Sequence, residues 1–158
     1  MLERKCYHIL ECSNLVSIQQ ETLLWIDKHP ELFDSEVYWN KIDYVDFIRN
    51  SVSLIQYINL LGLKLRECAI MIGYRDGVAR HIDEGPLLEK INIPILNTKD
   101  TYTEWYDEEG TQVARVEIDQ PVVFNSAIAH QVVMGPEART PRIMLGCMFF
   151  NDLSDYLK

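Results

Sequence analysis

The chain has 158 residues, 47% of them apolar, which is enough for one domain with a sizeable core. Its 15 basic and 24 acidic residues give a formal net charge of -9, which would repel a nucleic-acid backbone and an anionic membrane surface. Nucleic acid and membranes are therefore not expected as partners. The four cysteines form no Cys-x-x-Cys unit and the first residues show no apolar signal segment, so we expect a single cytoplasmic domain over residues 1–158 with reduced thiols.

The first third of the chain, residues 1–63, is predicted to be mainly helical. The stretch SIQQETLLWIDKHPELF has apolar residues at helical spacing, with Ser17 as a candidate N-cap and Pro30 beyond the end. The stretch DYVDFIRNSVSLIQYINLLGL predicts a second helix, with Asp43 as N-cap and Gly62 as its stop. We interpret its apolar stripe as core. The stripe consists of Val45, Ile48, Val52, Ile55, Ile58 and Leu61.

From residue 64 to about residue 150 the sequence consists of short β-prone runs separated by turn residues. There are eight runs: LRECAIMIGY, ARHID, EKINIPILN, TYTEWYD, TQVARVEI, PVVFNSA, HQVVMG and RIMLGCMFF. Eight strands with no helical stretch between them favour a jelly roll, with the helices outside it and residues 151–158 as a C-terminal tail. In TYTEWYD, Trp105 and Tyr106 alternate, so one ring should face inward, as core or as pocket wall.

The segment YRDGVARHID places an imidazole and a carboxylate two positions apart. Side chains alternate along a strand, so His81 and Asp83 would point the same way and form a pair of metal ligands. Two histidines and one carboxylate are the ligand set of non-heme Fe(II) oxygenases, which leaves positions open for cosubstrate and oxygen. His130 is the only further histidine in the β-rich part, because His8 and His29 lie in the first third.

Arg142, twelve residues after His130, adds a planar guanidinium that suits bidentate binding of a carboxylate. Each of these residues has a simpler interpretation. His81 could be a surface or core histidine that simply hydrogen-bonds to Asp83, His130 could cap a turn, and Arg142 could form an exposed ion pair. The order of the set along eight predicted strands favours a functional site.

The same residues resemble the double-stranded β-helix oxygenases that use Fe(II) and 2-oxoglutarate, most of all the aspartyl/asparaginyl β-hydroxylase-like branch. The resemblance covers about residues 64–150 and rests on the H-x-D motif, the following KINIPIL, the distal histidine and the arginine beyond it. It implies an α+β fold with an eight-stranded double-stranded β-helix core. It also implies that His81, Asp83 and His130 form the catalytic iron centre. Arg142 would then bind the C5 carboxylate of 2-oxoglutarate.

Two further residues are candidates for the cosubstrate site. Tyr74, upstream of the H-x-D motif, resembles a tyrosine that prolyl-hydroxylase relatives use near the keto acid. Asn92 could orient a ligand, as could Asn97, with hydrogen bonding at a turn or strand end as an equal alternative. Relatives often have arginine where Lys90 opens KINIPIL. β-Hydroxylases of this branch can lack the carboxylate that Asp83 supplies, so their substrate is not transferred to this chain.

The leading hypothesis is thus an Fe(II)- and 2-oxoglutarate-dependent dioxygenase that hydroxylates a peptide, a protein side chain, an amino acid or a small metabolite. Oxygen would convert the keto acid to succinate and carbon dioxide. Two alternatives remain open. A cupin-like metalloenzyme would use Arg142 for an anionic substrate and need no keto acid, and a non-catalytic jelly-roll module would bind neither metal nor keto acid.

Overall fold

The computed structural model describes residues 5–34, 37–74, 76–85 and 88–158. Two antiparallel sheets lie face to face, and helices cover the outer face of the larger sheet. The helices are α1 (Leu15–Asp27), α2 (Tyr44–Arg49) and α3 (Val52–Leu60), with 3-10 turns at Pro30–Phe33 and Ser154–Leu157. The strands are β1 (Tyr7–Ile9), β2 (Trp39–Lys41), β3 (Leu65–Gly73), β4 (Val78–His81), β5 (Glu89–Leu96), β6 (Thr101–Tyr106), β7 (Gln112–Glu117), β8 (Val122–Asn125), β9 (Ala129–Met134) and β10 (Arg142–Phe149).

The larger sheet has six strands in the order β1-β8-β5-β10-β3-β2, and the smaller has four in the order β4-β9-β6-β7. From β3 onward the chain passes repeatedly between the sheets, so that each sheet receives four of the eight strands β3 to β10. This alternation is the arrangement of a jelly roll. The eight β-prone runs of the sequence coincide with these eight strands, which confirms the predicted α+β fold with an eight-stranded core.

The central strand β10 shows how side-chain alternation separates two interiors. Ile143, Leu145 and Cys147 point to the helical side and belong to the main hydrophobic core, together with residues of all three helices. Arg142 and Met144 point toward the smaller sheet, where they line a cavity. One strand therefore serves a dry core on one face and a candidate binding site on the other.

The alternation predicted for β6 is confirmed. Trp105 is fully buried between the sheets, with its ring centroid 5.0 Å from that of Phe124. Tyr106 points to the outer face, where the guanidinium of Arg80 lies 3.5 Å from its ring centroid. Trp105 is thus part of the packing between the sheets, and it does not line the cavity.

The first helix begins earlier than predicted. α1 starts at Leu15 with Asn14 at the cap position, so Ser17 lies inside the helix and is not its N-cap. It ends at Asp27, ahead of Pro30, which opens a 3-10 turn as expected for a residue that cannot continue the helix. Among the described residues, none of the helices has the length and apolar character needed to span a membrane.

The second helical stretch forms two helices where the sequence predicts one. Asp43 caps α2 as predicted, since its carboxylate accepts hydrogen bonds from two backbone N–H groups of the first turn. The helix then ends, and Asn50 and Ser51 separate it from α3. Gly62, with φ +68°, lies beyond the end of α3 in the left-handed conformation that favours glycine.

The buried side chains of these two helices differ in part from the predicted stripe. Phe47 and Leu54 are fully buried, and Tyr57 is buried with them. Val45 and Val52, which the predicted stripe placed in the core, are 55% and 58% exposed. The predicted stripe is therefore wrong at Val45 and Val52, whereas Ile58 is buried in the core and Ile48, Ile55 and Leu61 pack against it.

The first third also contributes two strands that the sequence did not predict. β1 pairs with β8 and β2 pairs with β3, at the two edges of the larger sheet. Each has three residues, too few for a period-two pattern to be recognised. β2 matters for the site because it brings Trp39 to the cavity.

The corrected helix face gives a stability test. Phe47→Ala should lower the free energy of unfolding by about 3–5 kcal/mol, because it empties a fully buried position that packs edge-on against Trp25. Val45→Ala, on the exposed side of the same helix, should change it by less than about 0.5 kcal/mol. Urea unfolding of both variants measures the difference. Equal losses would contradict this orientation of α2.

Candidate metal centre and its cavity

Three potential metal ligands meet between the smaller and the larger sheet. His81 is the last residue of β4 and His130 lies on β9, and the two are direct partners in the antiparallel pairing. Asp83 follows two residues after the end of β4. One ligand atom from each of the three lies within 4.8 Å of the others. The structure thus brings together the three residues selected from the sequence, although Asp83 lies beyond the strand on which it was expected.

An irregular register in β4 makes this meeting possible. Val78 pairs with Val132 and His81 with His130, so three steps along β4 match two steps along β9. This bulge puts Val78 and His81 on the same face, and both line the cavity. Gly77, just before the strand, has φ +77°, and a Cβ there would lie 2.0 Å from the carbonyl oxygen of Val132. Only glycine fits this close approach.

Backbone carbonyls orient both imidazoles. Nδ1 of His81 lies 2.8 Å from the carbonyl oxygen of Ala79, and Nδ1 of His130 lies 2.8 Å from that of Ile128. A neutral ring that donates through Nδ1 keeps its lone pair on Nε2. The two Nε2 atoms lie 3.1 Å and 4.0 Å from Oδ1 of Asp83. A carbonyl on the second ring nitrogen is the usual support of a metal-binding histidine.

The two oxygens of the Asp83 carboxylate have different surroundings. Oδ1 faces the histidines, whereas Oδ2 accepts a hydrogen bond of 2.6 Å from Nζ of Lys90 on β5. Burial opposes ionisation of Asp83, but the hydrogen bond and charge of Lys90, with a hydrogen bond from Ser126, outweigh it and hold the pKa of Asp83 below its ordinary value. The carboxylate is therefore ionised and has one oxygen directed at the histidines.

His130 is buried, with its ring edge-on to Phe124 at 5.0 Å between centroids. Burial lowers the pKa of His130, because the imidazolium would lose its hydration, and the charges of His81 and Lys90 act in the same direction. The ring is thus kept in the neutral form that binds metal ions. Two imidazoles and one carboxylate oxygen fit the 2-His-1-carboxylate set of a non-heme Fe(II) site.

The three ligands open into a cavity of about 460 Å³ between the sheets. This volume is within the range of about 300–1,000 Å³ that is usual for small-molecule sites. Charged residues near the ligands and at the cavity edge are Asp83, Lys90, Arg142, Arg66, Glu67 and Glu84. Apolar and aromatic walls are formed by Tyr38, Trp39, Met71, Ile118, Phe124, Val132, Met144 and Met148.

Arg142 lies in this cavity at the start of β10 and is only 3% exposed. Its Nε donates a hydrogen bond of 3.0 Å to Oγ1 of Thr101. Its Nη1 is buried and meets no hydrogen-bond acceptor within the described part of the chain. A buried guanidinium without a counter-ion is unfavourable, so this arrangement fits a carboxylate-bearing ligand.

The other predicted site residues do not all lie in the cavity. Asn92 lies in the cavity, is 6% exposed, and its Oδ1 has no hydrogen-bond donor among the described residues. Tyr74 packs against the main core instead and is not among the residues that line the cavity, so its position does not support a cosubstrate contact. A different tyrosine, Tyr38, lines the cavity. Asn97 donates to the carbonyl of Pro141, which is the structural alternative.

Three residues near the site were not assigned from the sequence: Lys90, Trp39 and Thr101. A signal existed for Lys90, because a lysine within the apolar run EKINIPIL is rarely buried without a partner. The partner itself, Asp83, could not be recognised without the fold. Thr101 and Trp39 could not be assigned to the site either, since neither belongs to a motif and both reach the site through strand pairing.

No protein-family model and no curated protein matches the sequence. Among solved structures, a prolyl-4-hydroxylase from Pseudomonas putida aligns with a TM-score of 0.53 and 16% identity over 92% of each chain. AviO1 from Streptomyces viridochromogenes Tue57 aligns with a TM-score of 0.56 and 11% identity over 96% of this chain and 92% of its own. The chain has a double-stranded β-helix fold. At these identities the likeness concerns the fold alone, and membership of the aspartyl/asparaginyl β-hydroxylase-like branch stays a prediction.

The geometry predicts one divalent metal site. The wild-type protein should bind one equivalent of Mn(II), and His81→Ala, Asp83→Ala and His130→Ala should each weaken binding by at least about 100-fold, since loss of even an outer partner costs 10–100-fold. Calorimetric titration measures the affinities.

A matched control exists on the helical side, where Nε2 of His29 lies 3.4 Å from Asp46. His29→Ala and His8→Ala should bind Mn(II) like the wild type. Loss of binding in His29→Ala together with normal binding in Asp83→Ala would show that the metal site has been assigned to the wrong residues.

Proposed function

We propose that this protein is an Fe(II)- and 2-oxoglutarate-dependent dioxygenase that hydroxylates a small-molecule, peptide or protein substrate. One observation carries the proposal. A single cavity contains both a 2-His-1-carboxylate ligand set and a deeply buried arginine that has no counter-ion among the described residues. The first fits Fe(II), and the second fits a carboxylate of the cosubstrate.

In this proposal His81, Asp83 and His130 hold the metal through Nε2, Oδ1 and Nε2. When bound, Fe(II) and 2-oxoglutarate would supply the oxidation, in which dioxygen converts the keto acid to succinate and carbon dioxide and the substrate gains one oxygen atom. The protein's own task is to orient these groups and to limit access of water. The edge-on contact of Phe124 with His130 and the buried Met144 provide apolar surface for that purpose.

Arg142 would bind the distal carboxylate of the keto acid, and Thr101 fixes the guanidinium by accepting a hydrogen bond from Nε. The charges support a dianionic ligand. The described lining residues include three cations and three anions, but the two buried cations differ: Lys90 is paired with Asp83, whereas Arg142 has no carboxylate partner among the described residues. A metal ion would add two more positive charges. Asn92, with its unbonded Oδ1, is a further candidate for a polar contact with the cosubstrate.

The substrate would enter on the side where Tyr38, Trp39 and the exposed Glu84 line the cavity. Aromatic and charged groups both occur there, which suits a ligand with an apolar part and a polar part. We therefore keep peptide, protein side chain, amino acid and small metabolite as substrate classes.

Arg142 gives a test of cosubstrate binding. Arg142→Ala should weaken binding of 2-oxoglutarate to the Mn(II)-loaded protein by about 100-fold or more, because it removes a charge-assisted bidentate partner worth roughly 3 kcal/mol. Arg142→Lys should recover only part, since an ammonium lacks the planar fork. Mn(II) affinity should stay unchanged in both. Calorimetry at saturating Mn(II) gives both numbers, and wild-type keto-acid affinity in both variants would remove Arg142 from the site.

The function itself is tested by cosubstrate turnover. With Fe(II) and oxygen, the wild type should convert 2-oxoglutarate slowly to succinate even without substrate, and His130→Ala should not. Metal binding without any 2-oxoglutarate binding would favour the cupin-like alternative, and binding of neither would favour a non-catalytic module. A comparison of lysate metabolites and peptides before and after incubation, searched for a gain of one oxygen, would identify the substrate.

A further inference from the structure

Lys90 has an unusual position for a lysine. It lies on β5, is only 7% exposed, and directs its Nζ to Oδ2 of Asp83 at 2.6 Å. The rings of Trp39 and Phe124 flank the ammonium, with centroids 4.8 Å and 5.8 Å from Nζ. Lysine is almost never this buried unless it is paired. Two aromatic rings and one carboxylate therefore fix the ammonium at a single place.

The Asp83 side chain depends on partners outside its own segment, Lys90 and Ser126, of which Lys90 is the charged one. Asp83 lies beyond the end of β4, and within the described residues its backbone is attached by one hydrogen bond, from its N–H to the carbonyl oxygen of Ser126 at 3.1 Å. A carboxylate in a loop can rotate and can present either oxygen or both. The hydrogen bond to Lys90 occupies Oδ2 and leaves Oδ1 facing Nε2 of His81 at 3.1 Å.

We propose that Lys90 is a positioning residue, which holds Asp83 so that only Oδ1 is presented to the metal. The inference rests on the proposed metal site and extends it to a residue that supplies no ligand. Lys90 is on β5 of the larger sheet and Asp83 follows β4 of the smaller one, so this contact links the two sheets at the site.

Removal of Lys90 should change metal affinity in opposite directions for a positioning role and for direct repulsion between its charge and the metal ion. A fixed ammonium close to a divalent cation repels it, so if Lys90 acted only through its charge, removing the charge would tighten metal binding. If Lys90 positions the carboxylate, removing it lets the carboxylate rotate away and weakens metal binding. Lys90 also lowers the pKa of Asp83, so metal affinity is compared at about pH 6.5 and about pH 8: a loss caused by rotation of the carboxylate is the same at both, whereas a loss caused by protonation shrinks at the higher pH.

The experiment compares Mn(II) affinities of the full-length wild type, Lys90→Met, Lys90→Arg and Lys41→Met by calorimetry. Lys41 is the control for loss of a lysine charge, because its Nζ forms a 3.0 Å ion pair with Glu67, which lines the same cavity, while the Lys41 side chain itself is 73% exposed and does not line it. Lys90→Met should bind Mn(II) about 10- to 100-fold more weakly. Lys90→Arg should regain at least part of this loss, and Lys41→Met should stay within about twofold of the wild type.

Unchanged or tighter binding in Lys90→Met would overturn the proposal. So would a loss that Lys90→Arg does not reduce, or one that Lys41→Met shares, since volume or general charge would then explain it. If circular dichroism shows that Lys90→Met does not fold, Lys90→Gln, which lacks the charge and has a shorter donor, replaces it with the same expected loss. Failure of the wild type to bind Mn(II) would instead refute the proposed function.

Discussion

The pairing of β4 with β9 is the constraint on which the site depends, because it sets His81 directly opposite His130. Opposed residues of antiparallel strands have Cβ atoms only about 4.5–5.5 Å apart, close enough for both imidazoles to reach one ion. The bulge in β4 turns His81 inward, and Gly77 permits the close approach that the bulge requires. Asp83 then follows after two residues, and Lys90 meets it from the other sheet.

Side-chain alternation explains why so much of this could be predicted from the sequence. The eight strands have β-prone residues between compact turns, and His81, His130 and Arg142 are each in a run that forms a strand. Alternation also predicted that the side chains of His81 and Asp83 would point the same way, but it assumed that both residues lie on one strand. The strand ends at His81, and it is the loop and the hydrogen bond to Lys90 that bring the Asp83 carboxylate back to the histidines.

The features that could not be predicted depend on contacts between distant residues. The break between α2 and α3 is an example, because the first turn of α3 is capped by Glu21 of α1. The Glu21 carboxylate accepts hydrogen bonds of 2.9 Å from both the N–H and the hydroxyl of Ser53. Ser51 meanwhile donates its hydroxyl to the carbonyl of Phe47, which ends the preceding helix. A continuous apolar stripe gives no sign of either bond, so local pattern alone predicts one helix.

The charges inside the cavity could not be predicted from the net charge of the chain. The net charge of -9 predicts what the outer surface repels, and it says nothing about the interior between the sheets. There the two buried cations are Lys90, which is paired with Asp83, and Arg142, which has no carboxylate partner in the described part of the chain. Buried charges act at low dielectric, where each is worth far more than a surface charge. The choice of ligand for this cavity therefore depends on the few buried groups that lack a partner among the described residues, and the acidic net charge of the whole chain does not exclude an anionic ligand.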